Sequence, residues 1–173
     1  MEIVKKETIF SGRLLSLIKK TVKNSDGSLW DREVVTYGGN ASVILPLVDN
    51  KVVFVKQFRP TVEDFILELP AGRIENNETP YDCAKRELEE ETGLIAKNLK
   101  FLFEFYPSPG FVDEKLYLFL ATEFSHGIVN LDAGEEVNTL FVPIDDALSY
   151  LDNGTIIDGK TIIGLLYMKL MLK

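Results

Sequence analysis

Apolar residues along this chain fall mostly into short strand-like runs separated by turn residues, with helical spacing in three places. Leu14–Val22 and Leu29–Tyr37 alternate in part and flank Asn24-Ser25-Asp26-Gly27-Ser28, which predicts two strands joined by a turn. A two-stranded unit is marginal alone, so it must pack on the main domain or on another chain. Gly38-Gly39-Asn40 marks a break. Ala41–Val48 and Lys51–Gln57 then predict a hairpin around Asp49-Asn50. Arg59 is expected just past the second strand, where Pro60 discourages continuation. Phe65–Leu69, Leu99–Tyr106, Lys115–Thr122 and Asn138–Val142 read as further strands. Helices are predicted over Tyr81–Thr92, from Pro143 to Leu151, and over the apolar Lys160–Leu172, which is buried or faces an interface.

This mixture predicts an α/β fold with helices covering a mixed sheet. Its domains are an appendage over 1–40 and a main domain over 41–173. The 173 residues suit one domain with an appendage, and the 46% hydrophobic fraction suffices for a core. No apolar run approaches the roughly 18–20 residues of a membrane span. MEIVKKETIF has no apolar signal region, and the single cysteine, Cys83, reads as core filler. A reducing, cytoplasmic setting is the expectation. The net charge of −8 argues against generic nucleic-acid or anionic-membrane binding. His126 is the only histidine and is expected in a Ser-His-Gly turn; zinc sites and His-based triads are poorly supported.

The densest chemistry lies in Gly72–Leu94. Thr79 is a good N-cap, Pro80 suits the first helical position, and Gly93 supplies a left-handed stop. Between them, Glu87, Glu90 and Glu91 stand three and four residues apart, on one helix face. Their mutual repulsion and their place in the helix's C-terminal half are both unfavourable. A bound cation removes both penalties, and oxygen-only ligation suits Mg²⁺ or Mn²⁺. Arg86 can pair with Glu90 or reach back to Glu78. A solvated acidic face is the plainer alternative.

The whole stretch resembles the Nudix box, Gly-x5-Glu-x7-Arg-Glu-U-x-Glu-Glu-x-Gly-U, where U is a bulky aliphatic residue. Gly72, Glu78, Arg86, Glu87, Leu88, Glu90, Glu91, Gly93 and Leu94 fill every specified position. The resemblance implies an α/β/α sandwich with a mixed sheet, here with an N-terminal β appendage. It also implies metal-dependent cleavage of a diphosphate linked to another moiety. Glu87, Glu90, Glu91 and the Ala71 carbonyl would be the metal ligands, with Arg86 and Glu90 in the catalytic set.

Features outside the box resemble the ADP-ribose pyrophosphatase branch of that family. Pro109, sixteen residues after Gly93, lies near that branch's marker proline. Glu114 matches an acid that contacts the terminal ribose. Arg59 and Glu68 match residues that face the substrate; an arginine at a strand end suits phosphate. Trp30 is either core or an aromatic that stacks on adenine from a partner subunit. In Asp132-Ala133-Gly134-Glu135-Glu136, Glu135 is the expected water-activating base, with Glu136 the alternative. Ala133 and Gly134 depart from the branch's pattern of additional acids.

The implied reaction is Mg²⁺-dependent hydrolysis of a nucleotide sugar, foremost ADP-ribose to AMP and ribose 5-phosphate. Alternatives are GDP-mannose, a dinucleotide polyphosphate, or a sensor that binds ADP-ribose without cleaving it. The appendage and the apolar last helix predict a homodimer.

Overall fold

A computed structural model describes residues 1–131 and 136–172. The chain divides into two compact units, one formed by Met1–Asn40 with Phe105–Leu116, the other by Ala41–Glu104 with Tyr117–Lys173. The first therefore takes in a mid-chain segment that a single cut at residue 40 does not include.

The first unit holds a three-stranded antiparallel sheet: β1 (Glu2–Ser11), β2 (Ser16–Lys23) and β3 (Leu29–Thr36), in that order. β1 has no counterpart in the sequence reading. All ten of its residues are exposed, so no buried face imposed an alternating pattern. The mid-chain segment joins β3 through a parallel bridge between Val35 and Val112, and the Val35 N–H donates to the Phe111 carbonyl at 2.7 Å.

The second unit carries a seven-stranded mixed sheet. Its strands are β4 (Ala41–Val48), β5 (Lys51–Arg59), β6 (Asp64–Glu68), β7 (Ala71–Arg73), β8 (Leu94–Phe105), β9 (Leu116–His126) and β10 (Val137–Pro143). The main order is β10-β5-β4-β9-β8, with β6 paired to β5 and β7 to β4. The predicted hairpin forms as read: Asp49 and Asn50 both take positive φ, 45° and 62°, as a two-residue turn between β4 and β5 requires. Three details differ from expectation. Arg59 is the last residue of β5, because β6 pairs back along it with Arg59 opposite Asp64. β8 starts at Leu94, directly after the helix stop. His126 ends β9 and does not sit in a turn.

Among the described residues three helices complete this unit: α1 (Pro80–Thr92), α2 (Ile144–Asp152) and α3 (Gly159–Met171). Ala84 and Leu88 of α1 pack with Ile44, Val53, Ala96, Phe119 and Ala121. Each fully buried leucine contributes about 1.5–3 kcal/mol. α3 packs elsewhere: a side chain at Gly164 would strike Leu69, with Leu118 next nearest. Leu118 and Phe119 are consecutive in β9 and so point to opposite faces. The sheet is thus sandwiched between α1 and α3, the expected α/β/α arrangement. Among the described residues no helix is long and apolar enough to cross a membrane.

Candidate active site

Short-range chemistry sets α1. The Thr79 hydroxyl accepts from the Asp82 N–H at 3.1 Å and donates to its carboxylate at 2.6 Å. Gly93, at φ 70°, ends the helix with its N–H on the Glu89 carbonyl. β7 lies against the acidic face. The Ala71 N–H donates to Glu91 Oε2 at 3.1 Å. At Gly72 a Cβ would stand only 1.9 Å from Glu87 Cδ and Oε1, so the missing side chain is the space that this carboxylate fills.

Arg86 organises the rest. Nε and Nη2 donate to the two oxygens of Glu78 at 2.9 and 3.0 Å. Nη1 reaches Glu87 Oε1 at 2.7 Å and Glu90 Oε2 at 2.9 Å. Nη2 also donates to the Arg73 carbonyl at 3.0 Å. Lysine has neither the donors nor the fork for this. The Glu78 hydrogen bond holds the guanidinium strongly in its charged form, and in return Arg86 keeps the Glu78 carboxyl below its ordinary range. Cys83, beneath, donates to the Gly72 carbonyl at 3.4 Å. Burial pushes its thiol up to about 12, so it is filler and no nucleophile.

Among the described residues no group of three or more His, Cys, Asp or Glu side chains is itself arranged to hold a metal ion. Arg86 Nη1 engages Glu87 and Glu90, and the Ala71 N–H engages Glu91. The donor chemistry nevertheless fits a hard divalent cation. It is all carboxylate and carbonyl oxygen, and Arg86 alone cannot neutralise four glutamates.

A second charged cluster lies at the end of β5. Arg59 binds Glu68 with both prongs, Nε to Oε1 at 2.5 Å and Nη2 to Oε2 at 2.8 Å. Lys160 Nζ also donates to Glu68 Oε2. Glu68 is only 1% exposed. Burial acts to raise its pKa, but the Arg59 hydrogen bonds and the Lys160 charge outweigh it, and the net shift is downward. Arg59 and Glu68, expected as two separate substrate-facing residues, are paired in the structure. Lys160 is a further member of the cluster, without an expected role from the sequence. The capping pattern Asp158-x-x-Thr161 was the available signal: Asp158 accepts from the Thr161 N–H at 3.0 Å and fixes the start of α3.

Glu68 and Glu78 set an expectation for acid stability. Both pKa values are lowered in the folded state from an ordinary 4.5. Their contribution is therefore complete above pH 4.5 and is lost as pH falls through the depressed values. Tm measured against pH should be insensitive to these two groups from pH 7 to about 5, then fall. Glu68→Gln should flatten that acid limb; an unchanged limb would refute the assignment.

Trp30, Pro109 and Glu114 belong to the first unit. Trp30 donates Nε1–H to Asn24 at 2.8 Å, and the Arg32 guanidinium lies 3.7 Å from its ring centroid. Pro109 lines a cavity of about 270 Å³ with Tyr106, Phe111, Asp113, Lys20 and Val34. Glu114 is partly buried. Glu136 is exposed, and Glu135 lies outside the described residues.

A NUDIX domain profile matches residues 37–162. The chain belongs to the Nudix family. The Nudix box is thus the loop, β7 and α1 described above, and the protein is a hydrolase of this family. Over 169 residues it is 40% identical to the ADP-ribose pyrophosphatase of Bacillus subtilis (strain 168), covering 96% of this chain and 91% of that one. It is 39% identical, with the same coverage, to the methanol dehydrogenase activator of Bacillus methanolicus. Identity to the GDP-mannose pyrophosphatase of Enterobacter sp. (strain 638) is 33%, over 87% of this chain and 83% of that one. The Nudix fold is matched by a crystal structure of an ADP compounds hydrolase, with a TM-score of 0.90, 23% identity, and coverage of 99% and 93%. Nudix hydrolases generally use divalent metal ions.

Proposed function

We propose that this protein hydrolyses the diphosphate of a nucleoside diphosphate sugar, foremost ADP-ribose, to AMP and ribose 5-phosphate. The observation that carries this reading is 40% identity to an ADP-ribose pyrophosphatase along almost the whole chain, with every position of the box filled. Glu87, Glu90, Glu91 and the Ala71 carbonyl would hold Mg²⁺, or Mn²⁺ in its place. Bound there, the ion supplies Lewis-acid polarisation of the diphosphate oxygens.

The chain's own residues do the rest. Arg86 holds Glu78, Glu87 and Glu90 in one array, so their positions are set before substrate arrives. Arg59 clamps a phosphate oxygen pair with the fork it otherwise lays on Glu68. Glu68, being buried, holds that fork until a substrate phosphate takes it. Glu135, or Glu136 beside it, takes the proton of the attacking water. Glu114 contacts the terminal ribose, Pro109 shapes the substrate-binding loop before it, and Trp30 of one copy stacks on the adenine bound by the other. The homodimer this requires is supported by exposed Ile3, Ile9 and Phe10 on β1 and Leu170 and Met171 on α3; sedimentation as a monomer at micromolar concentration would refute it. A cytoplasmic setting suits such a substrate.

A second reading, GDP-mannose as substrate, is favoured by relatives at 33–34% identity. A panel of ADP-ribose, GDP-mannose and diadenosine polyphosphates, at one Mg²⁺ concentration, separates the two by kcat/KM. ADP-ribose is expected to lead, with AMP released. A lead for GDP-mannose overturns the first reading, and tight ADP-ribose binding without turnover makes the protein a sensor.

A further inference from the structure

One buried carboxylate, Glu68, is paired with both Arg59 and Lys160, and Lys160 is shared with Asp158. The two cations are not equivalent. The Arg59 side chain is 39% exposed and that of Lys160 only 13%. Arg59 stands at the end of β5, beside a turn in which its carbonyl accepts from Val62 and Glu63. The charge of Glu91, on the acidic face of α1, also acts on Arg59. Lys160, by contrast, is held inside. It lies 3.1 Å from Asp158 Oδ2, and that same oxygen accepts from the Thr161 N–H and hydroxyl at the start of α3. The Thr161 hydroxyl in turn accepts from the Leu69 N–H at 2.8 Å, next to Glu68 in the chain.

Removing Arg59 from a buried carboxylate with no other partner would strand an uncompensated charge, which is strongly unfavourable. With Lys160 in place the carboxylate stays paired. We propose that Lys160 is the positioning residue that keeps Glu68 neutralised, so that Arg59 can exchange Glu68 for a phosphate of the substrate. Lys160 touches no substrate. It acts through Glu68, and it sets how readily Arg59 is released. The inference rests on the reading above in which Arg59 is the phosphate clamp.

The test compares Lys160→Gln, Lys160→Met, Lys160→Arg and the Glu68→Gln/Lys160→Met double variant. Readouts are calorimetric binding of ADP and the split between KM and kcat on ADP-ribose. Lys160→Gln and Lys160→Met should weaken ADP binding and raise KM by about tenfold, with kcat within about twofold. Lys160→Arg should restore most of the binding. The double variant should recover too, because Arg59 then has no carboxylate to hold it. A merely structural Lys160 would lower Tm in both Lys160→Gln and Lys160→Met without this pattern. Unchanged ADP binding in Lys160→Gln, or a double variant no better than Lys160→Met, overturns the proposal. Should the wild-type protein leave ADP-ribose intact, the substrate assignment fails by itself. Weaker ADP binding in Lys160→Gln than in wild type would still uphold the role of Lys160, and equal binding would overturn it.

Discussion

Glu91→Gln and Glu90→Gln proteins should fold normally and lose Mg²⁺-dependent release of AMP from ADP-ribose, by a factor on the order of 10²–10³. The substitutions are close in shape. At Glu91, which is 6% exposed, the amide retains an oxygen for the Ala71 N–H. At Glu90 it retains an oxygen for Arg86 Nη1. What each removes is one negative charge from the face of α1. If that charge holds a cation, affinity for Mg²⁺ falls with turnover, and calorimetric titration should report weaker binding in both variants. If the charge binds no cation, Mg²⁺ affinity should stay as in wild type. Turnover would then be unchanged. The two explanations differ in both readouts, so one Mg²⁺ titration and one assay per variant decide between them. Full turnover in both variants would contradict the metal assignment.

The legible parts of this molecule were those in which chemistry is concentrated in adjacent residues. Thr79, Pro80 and Gly93 frame α1 through bonds to near neighbours, so its ends could be read within a residue. The acidic spacing of Glu87, Glu90 and Glu91 maps directly onto a helix face. Asp49-Asn50 dictates its own turn. The α/β/α sandwich followed from the order of strand-like and helical runs together with the family resemblance. What escaped depended on contacts between distant segments. Lys160 and Glu68 are 92 residues apart, and nothing in either neighbourhood names the other. Arg59 and Glu68 are not even opposite each other across β5 and β6, where Val55 faces Glu68; only the length of the arginine side chain joins them. β1 was invisible for a different reason: an exposed strand carries no hydrophobic alternation. The association of Phe105–Leu116 with the N-terminal sheet depends on a bridge between Val35 and Val112, which local propensity cannot foresee.

Gly72→Ala should damage activity far more than stability. Glycine at this position is not needed for its backbone: Gly72 is paired with Ser42 in a regular antiparallel ladder and is not among the residues with positive φ. Alanine is therefore tolerated conformationally. The obstacle is the Glu87 carboxylate, whose Cδ and Oε1 lie 1.9 Å and Oε2 2.3 Å from where the new methyl would sit. Those atoms are the tip of a flexible side chain, so Glu87 can swing aside without a shift of the backbone. Swinging aside breaks its 2.7 Å contact with Arg86 Nη1 and moves a carboxylate out of the array beside Glu90 and Glu91. Misplacement of about 1 Å is enough to cost about a hundredfold in a positioned site. The expected result is a Tm within a few degrees of wild type, weaker Mg²⁺ binding, and AMP release reduced by about 10²-fold. Gly72→Ala with Glu87→Ala should be no worse than Glu87→Ala alone, since both act through one carboxylate. Wild-type turnover in Gly72→Ala would show that Glu87 has no part in the chemistry. A collapse of Tm would show instead that Gly72 serves the packing of β7 on α1.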